Sequence, residues 1–306
     1  MNRLLDHPRL LGLACAALAV GLGMFYLAGA GAPARYSVIN LAALVVGAAV
    51  WLGLGRGVTS RWSGGAVLAL TAPLVATALF GVAVDGASRW VNVGPLSLQV
   101  SLIVLPAIIV LYARTTDAIG TAGILVAAFA LAAQPDRAMA AVLVAGTGAI
   151  VLAQRNRLSV LALIGAVIGF GVTMLRPDAL PAVPFVDRIL YTAFDVHVLA
   201  GMAVVAGCFI LLAPAFGAIG RGPERTALLA FGASWATVVA AAALGNYPTP
   251  LVGYGGSAVL GYLLSVALLP GARTNAGQAN ADGGPPQVSS NVDTGQSSSI
   301  LSDAHG

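Results

Sequence analysis

Lysine is absent from these 306 residues, and charged side chains make up only 8% of them. A soluble domain of this size needs far more charge to keep its surface wet. The shortage therefore excludes a water-soluble globular protein. An apolar fraction of 58% and a mean hydropathy of +0.91 place the chain in the membrane class. The formal charge of +4 does not make it a nucleic-acid binder, because all fifteen basic residues are arginines lying singly or in pairs between apolar runs. That is the distribution of loop anchors, not of a basic patch. The two cysteines, Cys15 and Cys208, both fall inside apolar runs and supply neither a disulfide framework nor metal-ligand spacing. Also missing are an internal repeat and any Glu, Lys or Asp near the middle of an apolar run. Both absences weigh against a lipid or solute transporter. Abundant Ala, Gly and Val without lysine is the mark of a GC-rich genome and points to a bacterial source.

What is present is a series of apolar segments. A helix needs roughly 20 residues to cross an apolar layer about 30 Å thick. Ten segments meet or approach that length: Leu10–Gly29, Ser37–Leu54, Gly64–Val84, Leu98–Ala113, Ala118–Ala133, Ala138–Ala153, Leu158–Leu175, Val196–Phe216, Thr226–Leu244 and Pro250–Leu269. The expected fold is an all-α, polytopic helical bundle over residues 1–272. The shorter segments are rich in Gly and Ala, as befits helices packed closely on neighbours. The first segment exceeds the length of a signal-peptide core, so it is read as a retained span. From Arg273 to residue 306 the chain is Gly, Asn, Gln, Ser and Asp with hardly an apolar residue, which predicts a disordered tail. With the N-terminus inside, ten arginines (3, 9, 56, 61, 114, 155, 157, 221, 225, 273) face the cytoplasm and five (35, 89, 137, 176, 188) face outward. The positive-inside rule thus predicts both termini and the tail to be cytoplasmic in a multi-pass protein of the bacterial inner membrane.

The unusual residues collect in outer segments. Residues 85–99 mix a turn, the Arg89-Trp90 pair and alternating apolar positions; Trp90 at headgroup depth and Arg89 on phosphates would explain them as anchors. Gln134-Pro135-Asp136-Arg137 is a tight polar turn, which could simply stop one helix and cap the next. Residues 176–188 hold three prolines and bring Asp178, Asp187 and Arg188 to the outer face, with Asp195 and His197 just beyond. Asp195 could be only a helix cap, yet ionisable groups this close to lipid are functional candidates by default. Residues 246–257 close with Tyr254-Gly255-Gly256-Ser257, where small-residue packing alone would account for the glycines. All four segments share one side, and Arg89, Arg137, Arg176 and Arg188 surround the acidic candidates there. That arrangement suits an anionic, lipid-linked substrate.

In this order the segments resemble the SEDS family of FtsW, RodA and SpoVE. The family pattern Gly-x-x-Arg-Trp, Gly-Pro, Gln-Pro-Ser-Glu is similar to Gly86-Ala-Ser-Arg89-Trp90, Gly94-Pro95 and Gln99-Val-Ser101-Leu102. Its Gln-Pro-Asp turn resembles Gln134-Pro135-Asp136. Its Pro-Phe-Ile-Ser-Tyr-Gly-Gly-Ser signature resembles Pro250-Leu-Val-Gly253-Tyr254-Gly255-Gly256-Ser257. The resemblance spans nearly the whole apolar part of the chain. It implies a membrane protein of cell-wall synthesis, cell division or cell shape. It further implies a peptidoglycan glycosyltransferase that polymerises a lipid-linked disaccharide-pentapeptide at the outer leaflet, with a class B penicillin-binding protein as partner. By the same resemblance, Asp187 is the general base, with Asp195 its rival. Arginines, aided by a divalent metal (Mg or Mn), stabilise the polyprenyl pyrophosphate leaving group. The implied substrate-binding set is Arg89, Trp90, Gln99, Ser101, Gln134, Asp136, Arg137, Arg188, Tyr254, Gly255, Gly256 and Ser257.

Departures from the pattern support an alternative. Leu102 stands where the family has Glu, and Leu105 where a Lys would pair with it. Val100 replaces the motif proline, Arg137-Ala-Met replaces Leu-Gly-Thr, Gly253 replaces Ser, and the connector before residue 189 is short. These changes fit a catalytically degenerate relative acting as a non-enzymatic partner or scaffold in a division or elongation complex.

Overall fold

The computed structural model describes residues 7–54, 63–84, 86–94, 96–178, 180–218 and 224–271. The tail expected over 273–306 lies outside the described residues, as do Arg3, Arg56, Arg61, Arg221 and Arg273 of the orientation count and Pro95 of the Gly-Pro motif.

Among the described residues the helices run α1 Pro8–Gly29, α2 Ala34–Leu54, α3 Ser63–Phe80, α4 Val100–Thr115, α5 Ala118–Ala133, α6 Arg137–Gln154, α7 Arg157–Met174, α8 Ile189–Val196, α9 Val198–Ile210, α10 Arg225–Leu244 and α11 Gly256–Ala267, with a 3-10 turn at Ala213–Ala218 after α9. Seven segments are long and apolar enough to cross a membrane: α1, α2, α3, α6, α7, α10 and the stretch Val198–Ala218. The apolar helices α4, α5 and α11 are shorter. Each of the ten expected segments coincides with one of these, and the chain is an all-α multi-pass membrane protein.

Helix α4 is apolar on every side, and twelve of its sixteen residues are buried. A helix of that kind belongs inside a bundle. It packs against α3, α10 and α11. The contact with α11 depends on Gly261, where a Cβ would collide with the carbonyl of Leu102. Helix α2 is the opposite case, with only Asn40, Ala43 and Gly47 buried, so most of its surface faces the bilayer.

Most ends shift by one to three residues, and three boundaries differ from the sequence expectation in kind. The segment expected over 64–84 is helical only to Phe80, and Val82–Val84 forms a strand. Alternating, β-branched residues on either side of the positive-φ turn at Gly86 favour pairing over a further helical turn. The segment expected from Val196 instead begins at Ile189 and breaks at His197, whose backbone is extended (φ −169°). The last helix starts at Gly256 rather than Pro250, because Pro248 and Pro250 lack N–H groups and restrict the residues before them.

On the side assigned as outer, strands β1 Val82–Val84, β2 Ala87–Val93 and β3 Leu96–Gln99 form an antiparallel sheet in that order. β2 and β3 make a hairpin with Trp90 opposite Gln99 and Asn92 opposite Ser97. Its turn uses Gly94 at φ +59°, a conformation glycine adopts without strain. β3 runs directly into α4, which fixes Arg89, Trp90 and Gln99 over the centre of the bundle.

Candidate functional site

A cavity of about 660 Å³ opens between the hairpin, α2, the connector before α8 and the connector before α11. Its polar end is bordered by Arg89, Gln99, Asp187, Thr249, Tyr254 and Ser257. Its other end is bordered by Ile39, Ala42, Ala43, Val46, Leu102 and Leu260. Val46 lies twelve residues into α2, about 18 Å at roughly 1.5 Å per residue, so the apolar end reaches toward mid-bilayer. Val46 is 53% exposed while bordering the cavity, and Ala42 is exposed as well. The apolar lining thus includes exposed residues of the spanning helix α2.

Asp187 is buried, and an isolated antiparallel bridge pairs it with Pro248. Its Oδ2 accepts a 2.8 Å hydrogen bond from the Val183 N–H. Burial raises its carboxyl above the ordinary value, and the Val183 bond opposes that only in part. The connector carrying Asp187 is pinned along its length. The Arg137 guanidinium donates to the Arg176 carbonyl at 2.9 Å. Asp178 accepts from Arg89 at 2.9 Å and from the Tyr247 hydroxyl at 2.5 Å. The Asn246 amide donates to the Leu180 carbonyl at 3.0 Å. The N–H groups of Thr249 and Tyr254 donate to the carbonyls of Val186 and Phe185, at 2.9 and 2.7 Å. Arg89 also donates to the Pro135 carbonyl, joining the connector to the 134–137 turn. Burial, followed by its bond to Asp178, raises the Tyr247 phenol and keeps it neutral.

A second network supports the hairpin from behind. Asp136 caps α6 through the Met139 N–H at 3.3 Å and accepts from Ser101 at 2.6 Å and from the Gln99 amide at 3.2 Å. The Gln99 N–H donates to Ser257 Oγ at 3.0 Å. The segment 246–255 is irregular backbone amid the helices, which is tolerated only where protein groups pair it or it lines a cavity. Asn40 does part of that pairing, donating to the Gly253 carbonyl at 2.8 Å and accepting from the Gly255 N–H at 3.1 Å. Tyr254 stacks on Tyr36 with ring centroids 3.9 Å apart.

Of the residues named from the sequence, Asp187, Arg89, Trp90, Gln99, Tyr254, Gly255, Gly256 and Ser257 border the cavity. Ser101 and Asp136 stand behind Gln99. Gln134 donates to the Leu74 carbonyl at 2.6 Å and Arg137 holds Arg176, so both act within the scaffold. Arg188 and Asp195 are exposed and away from the cavity, and the cap of α9 is His197, whose Nδ1 accepts from the Leu199 N–H. The expected ring of arginines thus reduces to Arg89 at the cavity itself, and Arg89 is already paired. Among the described residues no three His, Cys, Asp or Glu side chains come together, and Asp187 is the one carboxylate bordering the cavity. Asn40 escaped the sequence reading, although an amide in an otherwise apolar span was a signal for it. Tyr247 and Thr249 gave no such signal.

No protein-family model matches the chain, and no curated protein matches it in sequence. Solved structures do match. The rod-shape-determining protein RodA of Thermus thermophilus aligns at a TM-score of 0.60 and 21% identity, over 84% of this chain and 94% of that one. An aspartate-to-alanine variant of the same protein aligns at 0.62 and 20%, over 84% and 95%. The chain has the RodA fold. A third match, at 0.57 and 20% over 84% and 95%, comes from a peptidoglycan synthase complex that coordinates polymerization and crosslinking.

Proposed function

We propose that this chain is a divergent member of the SEDS family in a bacterial inner membrane, and that it polymerises a lipid-linked cell-wall precursor at the outer leaflet. The observation that carries the reading is the cavity, whose lining joins a buried carboxylate to apolar residues exposed on the spanning helix α2, and in this reading it opens there to the bilayer. Its shape fits an amphipathic substrate, a sugar head on a polyprenyl chain, and excludes water from the head. Asp187 takes the proton of the acceptor sugar hydroxyl as that oxygen forms the new glycosidic bond. The pyrophosphate leaves on the polyprenyl chain. A carboxyl raised by burial is a stronger base once ionised than an exposed one. Arg89, held by Asp178 and Pro135, orients the connector and the hairpin around that centre. A class B penicillin-binding protein is the expected partner; the similarity to a chain from a synthase complex supports it.

A second reading, a non-catalytic scaffold for cell division or elongation, is favoured by α4, where two leucines, Leu102 and Leu105, 3% and 0% exposed, stand in place of the family's Glu and Lys.

The deciding experiment is glycan-strand synthesis from purified lipid-linked disaccharide-pentapeptide with magnesium or manganese. It compares wild type, Asp187→Ala and Asp195→Ala, with and without the penicillin-binding partner. Polymer from wild type and from Asp195→Ala but not from Asp187→Ala supports the transferase. No polymer from folded wild type under any condition transfers the assignment to the scaffold.

A further inference from the structure

Four consecutive residues of β3, Leu96, Ser97, Leu98 and Gln99, border the cavity. Side chains alternate between the faces of a strand, so a cavity that touches four in a row reaches the edge of the strand, where the peptide groups lie, as well as the sheet face it shares with Val82, Trp90 and Asn92. β3 is the terminal strand of the sheet, with β2 on its other side. One bond sets the direction of its backbone groups. The Gln99 N–H donates to Ser257 Oγ and therefore points away from β2. That makes Trp90–Gln99 a non-hydrogen-bonded pair of the antiparallel ladder. By alternation Asn92–Ser97 is the next such pair. Its close side chains agree, with Ser97 Oγ donating to Asn92 Oδ1 at 2.8 Å. The N–H and C=O of Ser97 thus point out of the ladder on the cavity side, and among the described residues no protein group bonds to them there.

We propose that this edge binds the peptide part of the substrate as an added strand, with Ser97 exchanging two backbone hydrogen bonds with one residue of an extended peptide. Addition of a strand to an open edge is an established mode of peptide recognition. The inference rests on the reading above, in which a lipid-linked glycopeptide fills the cavity. The edge shares its cavity with Asp187 and with the exposed residues of α2. A peptide lying on it therefore arrives attached to the group that fills the cavity, rather than as a segment of a partner protein docking from outside. The hairpin is then a peptide reader as well as a wall.

The test compares binding of two precursors, polyprenyl-pyrophosphate-linked disaccharide with and without its peptide, to the full chain in lipid nanodiscs. Wild type is expected to prefer the peptide-bearing precursor by about tenfold, the worth of one or two net hydrogen bonds. Ser97→Pro removes the outward N–H and spares the ladder, so it is expected to bind both precursors alike; Ser97→Ala keeps the preference. On the ligand side, N-methylation of the peptide bonds should reduce binding by wild type to the peptide-free level with no change to the protein. Equal binding of the two precursors by wild type, or a preference that survives both Ser97→Pro and N-methylation, overturns the edge site alone. Wild type that binds neither precursor overturns it together with the transferase reading.

Discussion

Arg89 and Asp178 form a buried ion pair, 2.9 Å between guanidinium nitrogen and carboxylate oxygen, with side chains 3% and 7% exposed. They are 89 positions apart in sequence and belong to the hairpin and to the connector that carries Asp187. The Tyr247 hydroxyl occupies the second carboxylate oxygen, so three separate segments meet on Asp178.

Removing one member of such a pair leaves the other charge buried and alone. Asp178→Leu is expected to destabilise the protein by about 3 kcal/mol or more, and Arg89→Met by a similar amount. The double variant Arg89→Met/Asp178→Leu should recover most of the loss, because neither charge is then stranded. Thermal unfolding of the four proteins in one detergent gives the coupling. Additive losses would mean that the two groups are independently solvated.

Asp187 provides a pH signature. Its carboxyl is raised in the folded protein above the ordinary value of 3.8, so between those two values the folded state holds a proton that the unfolded chain has released. Stability from this group is present below pH 3.8 and is lost as pH rises through the raised value. At neutral pH the ionised carboxylate therefore opposes folding. Asp187→Asn keeps an oxygen for the Val183 N–H and is expected to melt at or above the wild-type temperature at pH 7, with the gain vanishing in acid. Its polymer synthesis should fall by about 10²- to 10⁴-fold. In wild type the acid limb of the rate should have a midpoint above 3.8. A destabilised Asp187→Asn at pH 7 would contradict the burial argument.

The legibility of this chain divides along a physical line. Apolar length is a local property, so the ten spans could be read directly, and Ala118–Ala133 matches α5 to the residue. The ends that failed, at Phe80, Ile189 and Gly256, are those where a strand, a helix break or a proline-rich connector competes with continued helix. The outer segments were legible as a group, because arginine counting puts them on one side. Their pairing was not. Nothing local in Asp178 says that it is held by Arg89 and Tyr247, or that Arg89 is thereby removed from the pool of anion-binding arginines. Asn40 lies 213 residues from the carbonyl to which it donates. Such long-range partners are fixed by tertiary packing alone.

Asn40 is accordingly a test of how the irregular segment 246–255 is held. Its side chain pairs two backbone groups, the Gly253 carbonyl and the Gly255 N–H. Asn40→Leu leaves both unpaired in a buried site, at a cost of about 2–4 kcal/mol. Loss of the peptide pairing should also loosen the wall formed by Tyr254 and Ser257. The measurement is thermal stability in nanodiscs, together with hydrogen exchange over residues 250–258. Unchanged protection there would show that α11 and the connector hold the segment without Asn40.

Leu102 and Leu105 decide between the two functional readings. They sit three apart on α4, and so on neighbouring positions of one helix face. Leu102 borders the cavity, while Leu105 is wholly buried. Leu105→Lys alone buries an unpaired ammonium and is expected to lower stability by about 3 kcal/mol or more. Leu102→Glu/Leu105→Lys restores the charge pattern of the SEDS resemblance and should recover part of that loss, since the two ends can then meet. Polymerase activity read on the same proteins is the informative quantity. If wild type polymerises and the double variant does so no faster, the apolar face of α4 belongs to a working transferase that has dispensed with the pair. If only the double variant polymerises, the chain is a scaffold that lost catalysis through these two positions, and the cavity with Asp187 is retained for binding.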